Sequence, residues 1–232
     1  MYGVMSLKKN IENKTSIKFA LTINLIITIL TVVASVIMFT GFKFMNGYDT
    51  VLESTRLGML RFFTVESNIF MGISALIFAV QEIKLLKGKI NEISKKMYIL
   101  KLMATTSVGL TFFVVFAYLG PIAKDGIPSL LMNSNLFFHF LIPVISMINF
   151  VIFEKTNIIK YKYTFFGLIP TTLYGVYYLT NILIHMENGK VLPIYDWYWF
   201  VQNGVWTAAI VIPIILAITY IITLILWRIN RK

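Results

Sequence analysis

Few side chains in the apolar parts of this 232-residue chain can take part in chemistry, and they recur at helical intervals. Phe62-Phe-Thr-Val-Glu-Ser-Asn68 spaces Thr64, Ser67 and Asn68 three and four residues apart. On a helix the two hydroxyls and the amide then share a face, while Glu66 points elsewhere. Asn135-Leu-Phe-Phe-His139 sets an amide and an imidazole four apart on one face. A third stretch carries Tyr174, Tyr177, Tyr178 and Asn181 at the same spacing. These residue types support acid–base work in a polar pocket, or hydrogen bonds that simply hold helices together. Glu66 and His139 are the ionisable groups inside the apolar blocks, with His185 at a block end. An ionisable group in hydrocarbon is a functional hypothesis by default.

Other chemistries lack their residues. The absence of cysteine rules out disulfides, thiolate catalysis and Cys-ligated metals. Two histidines without a nearby carboxylate cluster make a poor ligand set, so no metal is expected. No glycine-rich phosphate cradle occurs, and no cofactor is expected.

The elements that must position these groups are membrane spans. The chain is 58% hydrophobic with a mean hydropathy of +0.78. Its apolar residues fall in blocks of about 20, the length a helix needs to cross roughly 30 Å of hydrocarbon. Six blocks are expected as spans: 19–40, 62–81, 102–119, 135–153, 165–184 and 206–227. The fold class is an all-α bundle of six transmembrane helices, a single domain over 1–232. With the N-terminus cytoplasmic, the inner side holds Lys8, Lys9, Lys14 and Lys18; six lysines from Lys84 to Lys101; Lys155, Lys160 and Lys162; and Arg228, Arg231 and Lys232. The outer side holds Lys43, Arg56, Arg61, Lys124 and Lys190. This positive-inside bias puts both termini in the cytoplasm and the protein in the cell membrane.

The net charge of +11 then needs no nucleic acid. Lys84–Lys101 reads as a cytoplasmic loop facing anionic lipid headgroups. The first block follows a lysine-rich start but is too long for a signal peptide and lacks a cleavage site, so it reads as an uncleaved span. The two halves show no internal repeat, which weighs against an inverted-repeat transporter. The last outer loop, Pro193-Ile-Tyr-Asp-Trp-Tyr-Trp-Phe200, is dense in rings that favour the headgroup level, where it can cap a cavity.

Both polar faces lie in the outer half of the bilayer. Measured along their helices, His139 sits roughly 12 Å deep and Thr64 roughly 10 Å. Taken alone, His139 can be an interhelical hydrogen-bonder and Thr64 helix glue. Glu66 can reach the headgroups or pair with Arg61. Matching depth raises the Thr64–His139 pair above either residue alone.

Phe-Phe-Thr64-x-x-Ser67-Asn68 followed by Asn135-x-x-x-His139-x-x-x-Pro143 resembles the androgen-induced membrane hydrolase family, over about Phe62 to Asp196. Gly189-Lys-Val-Leu-Pro-Ile-Tyr-Asp196 is similar to a late outer loop of its bacterial branch. The resemblance implies a multi-span hydrolase of fatty-acid esters of hydroxy fatty acids, with Thr64 as nucleophile and His139 as base. The expected partners are membrane lipids and a lipid ester substrate. A threonine hydroxyl is a weak nucleophile until a base takes its proton during attack. Histidine, whose unperturbed pKa is about 6.5, suits that task. Asn68, Asn135, Ser67 or a tyrosine such as Tyr177 or Tyr178 can supply oxyanion donors. Asn181 supports the same pocket, and Asp196 can fold back over it. The alternatives are acyl transfer through the same pair, and lipid or solute binding and transport without catalysis.

Overall fold

Inside a bilayer each backbone N–H and C=O must be paired within its own segment, so long apolar blocks become helices. The computed structural model describes residues 2–48, 54–201 and 204–231. Lys232 and the side chains of Lys8 and Lys9, counted in the charge bias, lie outside the described residues. Among the described residues the fold is helical, apart from an isolated bridge between Glu187 and Lys190. The main helices are α1 (Tyr2–Thr40), α2 (Phe63–Leu86), α3 (Lys95–Ile122), α4 (Leu136–Phe153), α5 (Ile169–Ile184) and α6 (Ala208–Asn230). Five of them, α1 to α4 and α6, are long and apolar enough to cross a membrane, which marks a multi-pass membrane protein.

The fifth expected block is built differently. Pro170 stands at the start of α5, and Tyr161–Leu168 ahead of it winds as a 3₁₀-helix. Proline fits the first turn of an α-helix, whereas its missing N–H and its ring disrupt the turn just upstream. The α-helical part is therefore only 16 residues long.

Prolines also shape α3 and α4. Val114–Leu119 and Leu136–Leu141 are wide π-turns, ahead of Pro121 and Pro143 respectively. Pro143 has no N–H for the carbonyl of His139, and its ring crowds that carbonyl. The turn that carries His139 widens accordingly, a distortion often found at functional sites.

Helix α3 is the central post: 61% of its apolar window is buried, against 17% for α6. Its middle is small and largely polar and is buried all round, with Ala104, Thr105, Thr106, Ser107 and Val108 all at 0% exposure. Small side chains let helix backbones approach closely where lipid gives no hydrophobic drive. The same holds between α1 and α2. At Gly72 an added Cβ would lie 2.7 Å from Thr31 Cγ2, so only glycine fits. Outside this core, α1, α5 and α6 present exposed Ile29, Val32, Leu173, Ile210 and Ile221 to the surroundings.

One reading of the charges is corrected. Lys101 is not a loop lysine facing headgroups: it lies inside α3, fully buried, and pairs with Glu154 at 3.1 Å. The helix begins six residues before it, so the charge is carried into the bundle rather than left at its rim.

Candidate functional site

The residues singled out in sequence gather around the first turns of α2. As expected from their spacing, Ser67 and Asn68 are buried, Thr64 is half-buried and Glu66 is exposed. Glu66 forms no ion pair with Arg61. The Arg61 guanidinium instead lies over the rings of Phe62 at 4.8 Å and Trp197 at 5.9 Å.

Asn68 joins two of the polar segments. Its Nδ2 donates to the carbonyl of Thr64 at 2.7 Å and to the carbonyl of Phe138 at 3.0 Å. The turn of α2 that carries Thr64 is thereby tied to the turn of α4 that carries His139. Both amide hydrogens are committed, so Asn68 has none left for a substrate oxygen. Ser67 bonds the Thr64 carbonyl and the hydroxyl of Thr111 on α3, each at 3.1 Å. Among the described residues, no hydrogen bond joins the Thr64 hydroxyl to the His139 ring.

His139 is fully buried, as is Asn135 one turn before it. Its Nδ1 lies 2.6 Å from the carbonyl of Leu130, in the loop before α4. A carbonyl only accepts, so Nδ1 carries the hydrogen, and Nε2 keeps the lone pair. The ring is thus held in the tautomer whose outer nitrogen can take a proton. That loop is itself pinned: Asn133, in the left-handed region at φ 52°, accepts the N–H groups of Phe44 and Met45 at 2.8 and 2.9 Å.

The tyrosines and the aromatic loop hold the start of α2 from the other side. Tyr174 donates to the Arg61 carbonyl at 2.6 Å and accepts from Trp197 Nε1 at 3.0 Å. Tyr198 accepts the N–H of Phe63 at 3.0 Å. Burial pushes the Tyr198 hydroxyl up to about 12, so it stays neutral. Asp196 folds back and is buried, accepting the Tyr178 hydroxyl and the N–H groups of Phe200 and Val201. Asn181 donates to the Tyr195 carbonyl at 2.8 Å. His185 stacks on the Tyr195 ring at 3.7 Å. Tyr177 remains exposed beside Trp197. Asp196, Tyr178 and Asn181 therefore fasten the loop, and the loop fastens the turn that bears Thr64.

An apolar groove of about 460 Å³ runs between α1 and α2 on the outer surface of the bundle, lined by Val32, Val36, Met59, Ile69, Gly72 and Leu76 among others. Met59 and Ile69 flank the segment that bears Thr64 in sequence. Among the described residues, no three His, Asp or Glu side chains gather as a metal cage.

A second polar cluster at the opposite end of the bundle has no counterpart in the sequence reading. Asn24 of α1, Glu82 of α2, Lys101 of α3, and Asn149 and Glu154 of α4 and its end are all buried together. Asn24 Nδ2 donates to Glu82 Oε2 at 3.0 Å and to Glu154 Oε1 at 2.8 Å. Asn149 Nδ2 donates to Glu154 Oε1 at 2.9 Å and to Asn24 Oδ1 at 3.1 Å, and Lys101 also donates to Asn24 Oδ1. Near the end of α6, Asn230 closes the cluster from below, donating to the carbonyls of Phe150 at 2.5 Å and Glu154 at 3.0 Å.

No protein-family model matches the chain, and neither a curated protein nor a solved structure matches it significantly.

Proposed function

We propose that the chain crosses the cell membrane six times, with both termini cytoplasmic, and hydrolyses a lipid ester with Thr64 as nucleophile and His139 as base. The sixth crossing is α5 with the 3₁₀ stretch before it. Sixteen α-helical residues rise about 24 Å, and the eight 3₁₀ residues ahead of them add about 16 Å. Together they suffice for the roughly 30 Å of hydrocarbon. The excess of Lys and Arg at the Lys101 end supports a cytoplasmic assignment for that end, which leaves the Thr64 end outside.

The observation that carries the enzymatic reading is the Asn68 bridge, which sets the Thr64 turn beside the His139 turn. The tautomer of His139 adds to it. The Thr64 oxygen attacks the ester carbonyl carbon, and its proton passes to His139 Nε2. The tetrahedral intermediate collapses, the C–O bond to the alcohol breaks, and the alcohol leaves with that proton. Water then gives a proton to Nε2 and its oxygen to the acyl carbon. The bond between the acyl carbon and the Thr64 oxygen then breaks, Nε2 returns the proton to that oxygen, and a carboxylic acid departs. The apolar groove between α1 and α2 offers a place for an acyl chain. The resemblance of the Thr64 and His139 motifs to a membrane hydrolase family points the same way.

The test is a fluorophosphonate probe on the detergent-purified protein, with the adduct mapped by mass spectrometry. Labelling of Thr64 that disappears in His139→Ala supports the reading. Labelling of Ser67 moves the nucleophile. A folded protein that takes no label rejects the hydrolase. Adding a lipid alcohol and looking for a new ester separates acyl transfer from hydrolysis.

A further inference from the structure

The cluster at the opposite end of the bundle holds more negative than positive charge. One ammonium, Lys101, stands against two carboxylates, Glu82 and Glu154, and all three are buried. The ion pair joins Lys101 to Glu154 Oε1. Among the described residues Glu82 receives the amide of Asn24 alone, and that same nitrogen also serves Glu154. Two carboxylates around one donor repel unless one of them is neutralised. An uncompensated charge is costly to keep where water is scarce.

The hydrogen-bond pattern indicates what is missing. Among the described residues, Glu154 Oε2 and Asn149 Oδ1 are buried without a hydrogen-bond partner. Both are acceptors, in residues that already bond into the cluster on their other atoms. These two acceptors therefore ask for one more hydrogen or one more positive charge. A proton supplies both and needs no extra room. Tyr98 of α3 and Glu92 ahead of it are further titratable groups on this side. The elements α1 and α6 bring the amides of Asn24 and Asn230.

We propose that Asn24, Glu82, Lys101, Asn149 and Glu154 form a proton-binding site in which Glu82 and Glu154 share one proton beside the Lys101 ammonium. It lies at the last turn of α2 and the first turns of α3. The exposed Lys84, Lys87 and Lys96 mark the same end, from which a proton reaches it. The site stands apart from Thr64 and His139 and does not depend on their chemistry.

Two substitutions separate this from a structural ion pair. Glu82→Gln mimics the protonated carboxyl in shape and charge, so the full-length protein should keep its melting temperature at neutral pH. Glu154→Gln strips Lys101 of its ion-pair partner, leaving it the amide oxygen of Asn24, and should lower it clearly. Infrared spectra in lipid at neutral pH should show a carboxylic-acid carbonyl band that vanishes in Glu82→Gln and survives in Glu66→Gln, a change at an exposed residue. Three results would each overturn the proposal: equal melting losses in the two variants, no such band in the unmodified protein, or a stability that follows sodium concentration at fixed pH.

Discussion

The hydroxyl of Tyr198 accepts the N–H of Phe63 at 3.0 Å, so a loop residue 135 positions away caps the helix that carries Thr64. The first N–H groups of a helix have no partner inside it. Phe62, at the N-cap position, has no side-chain acceptor to offer, and Tyr198 takes that task. A proposed nucleophile in the first turn of α2 is therefore placed by a ring from the last loop.

Tyr198→Phe keeps the ring and removes the acceptor. Leaving a shielded N–H without a partner costs about 1–3 kcal/mol. The expected outcome is a lower melting temperature, with faster hydrogen exchange confined to the Phe63 to Val65 amides. Unchanged exchange there would mean that the cap does not hold the turn.

Asp196 acts one step further back. Its carboxylate takes the Tyr178 hydroxyl and two backbone N–H groups, at 2.9 Å from Phe200 and 3.1 Å from Val201. Hydrogen bonds to a charged group are worth about 1.5–3 kcal/mol each. Asp196→Ala should therefore open the loop and make the segment between Glu187 and Val201 sensitive to limited proteolysis. Because both residues work through the same loop, Asp196→Ala with Tyr198→Phe should cost less than the sum of the two. Strict additivity would show that they act independently.

Much of this architecture is legible in the sequence. Apolar blocks of about 20 residues mark the helices, and three–four spacing puts Ser67 and Asn68 inside and Glu66 outside. What escapes is set by where hydropathy stops. The expected blocks end at Gln81, begin at Leu102 and end at Phe153, each one residue short of Glu82, Lys101 and Glu154. A charge ends an apolar run, so the three look like loop residues, whereas α2 runs on to Leu86 and α3 begins at Lys95. The charges are buried because they meet one another across helices, and no single segment carries that information. The fifth block is likewise visible as apolar, while its 3₁₀ start follows from Pro170. The proposed site is half legible: the faces of α2 and α4 follow from spacing, but the Asn68 bridge needs the tertiary fold.

Glycine positions separate tight packing from open surface. At Gly72 an added Cβ would meet Thr31 at 2.7 Å, whereas at Gly175 nothing lies within 4 Å. Gly72→Ala should lose about 1–3 kcal/mol through overpacking between α1 and α2. Gly175→Ala should be neutral or gain up to about 1 kcal/mol, since alanine favours the helix. Melting curves of the two variants in the same detergent test this, and an equal response would contradict the close approach of α1 and α2.

The Lys101–Glu154 pair at 3.1 Å makes a sharper demand, because both side chains are fully buried. Lys101→Met should destabilise strongly, on the order of 3–5 kcal/mol, since it leaves the carboxylates without a cation. Glu154→Leu alone should be comparably severe, leaving the ammonium with Glu82 at a distance and Asn24 as its remaining bonded neighbour. The double variant Lys101→Met with Glu154→Leu removes both charges of the pair, leaves Glu82 to keep the shared proton, and fills the space with apolar atoms. Such replacements are often neutral or even stabilising. Its melting temperature should therefore recover most of what either single variant loses, a coupling of roughly 2 kcal/mol or more in the double-mutant cycle. Full additivity would mean that the two groups are stabilised separately, and that α3 and α4 are held by packing instead of by their charges.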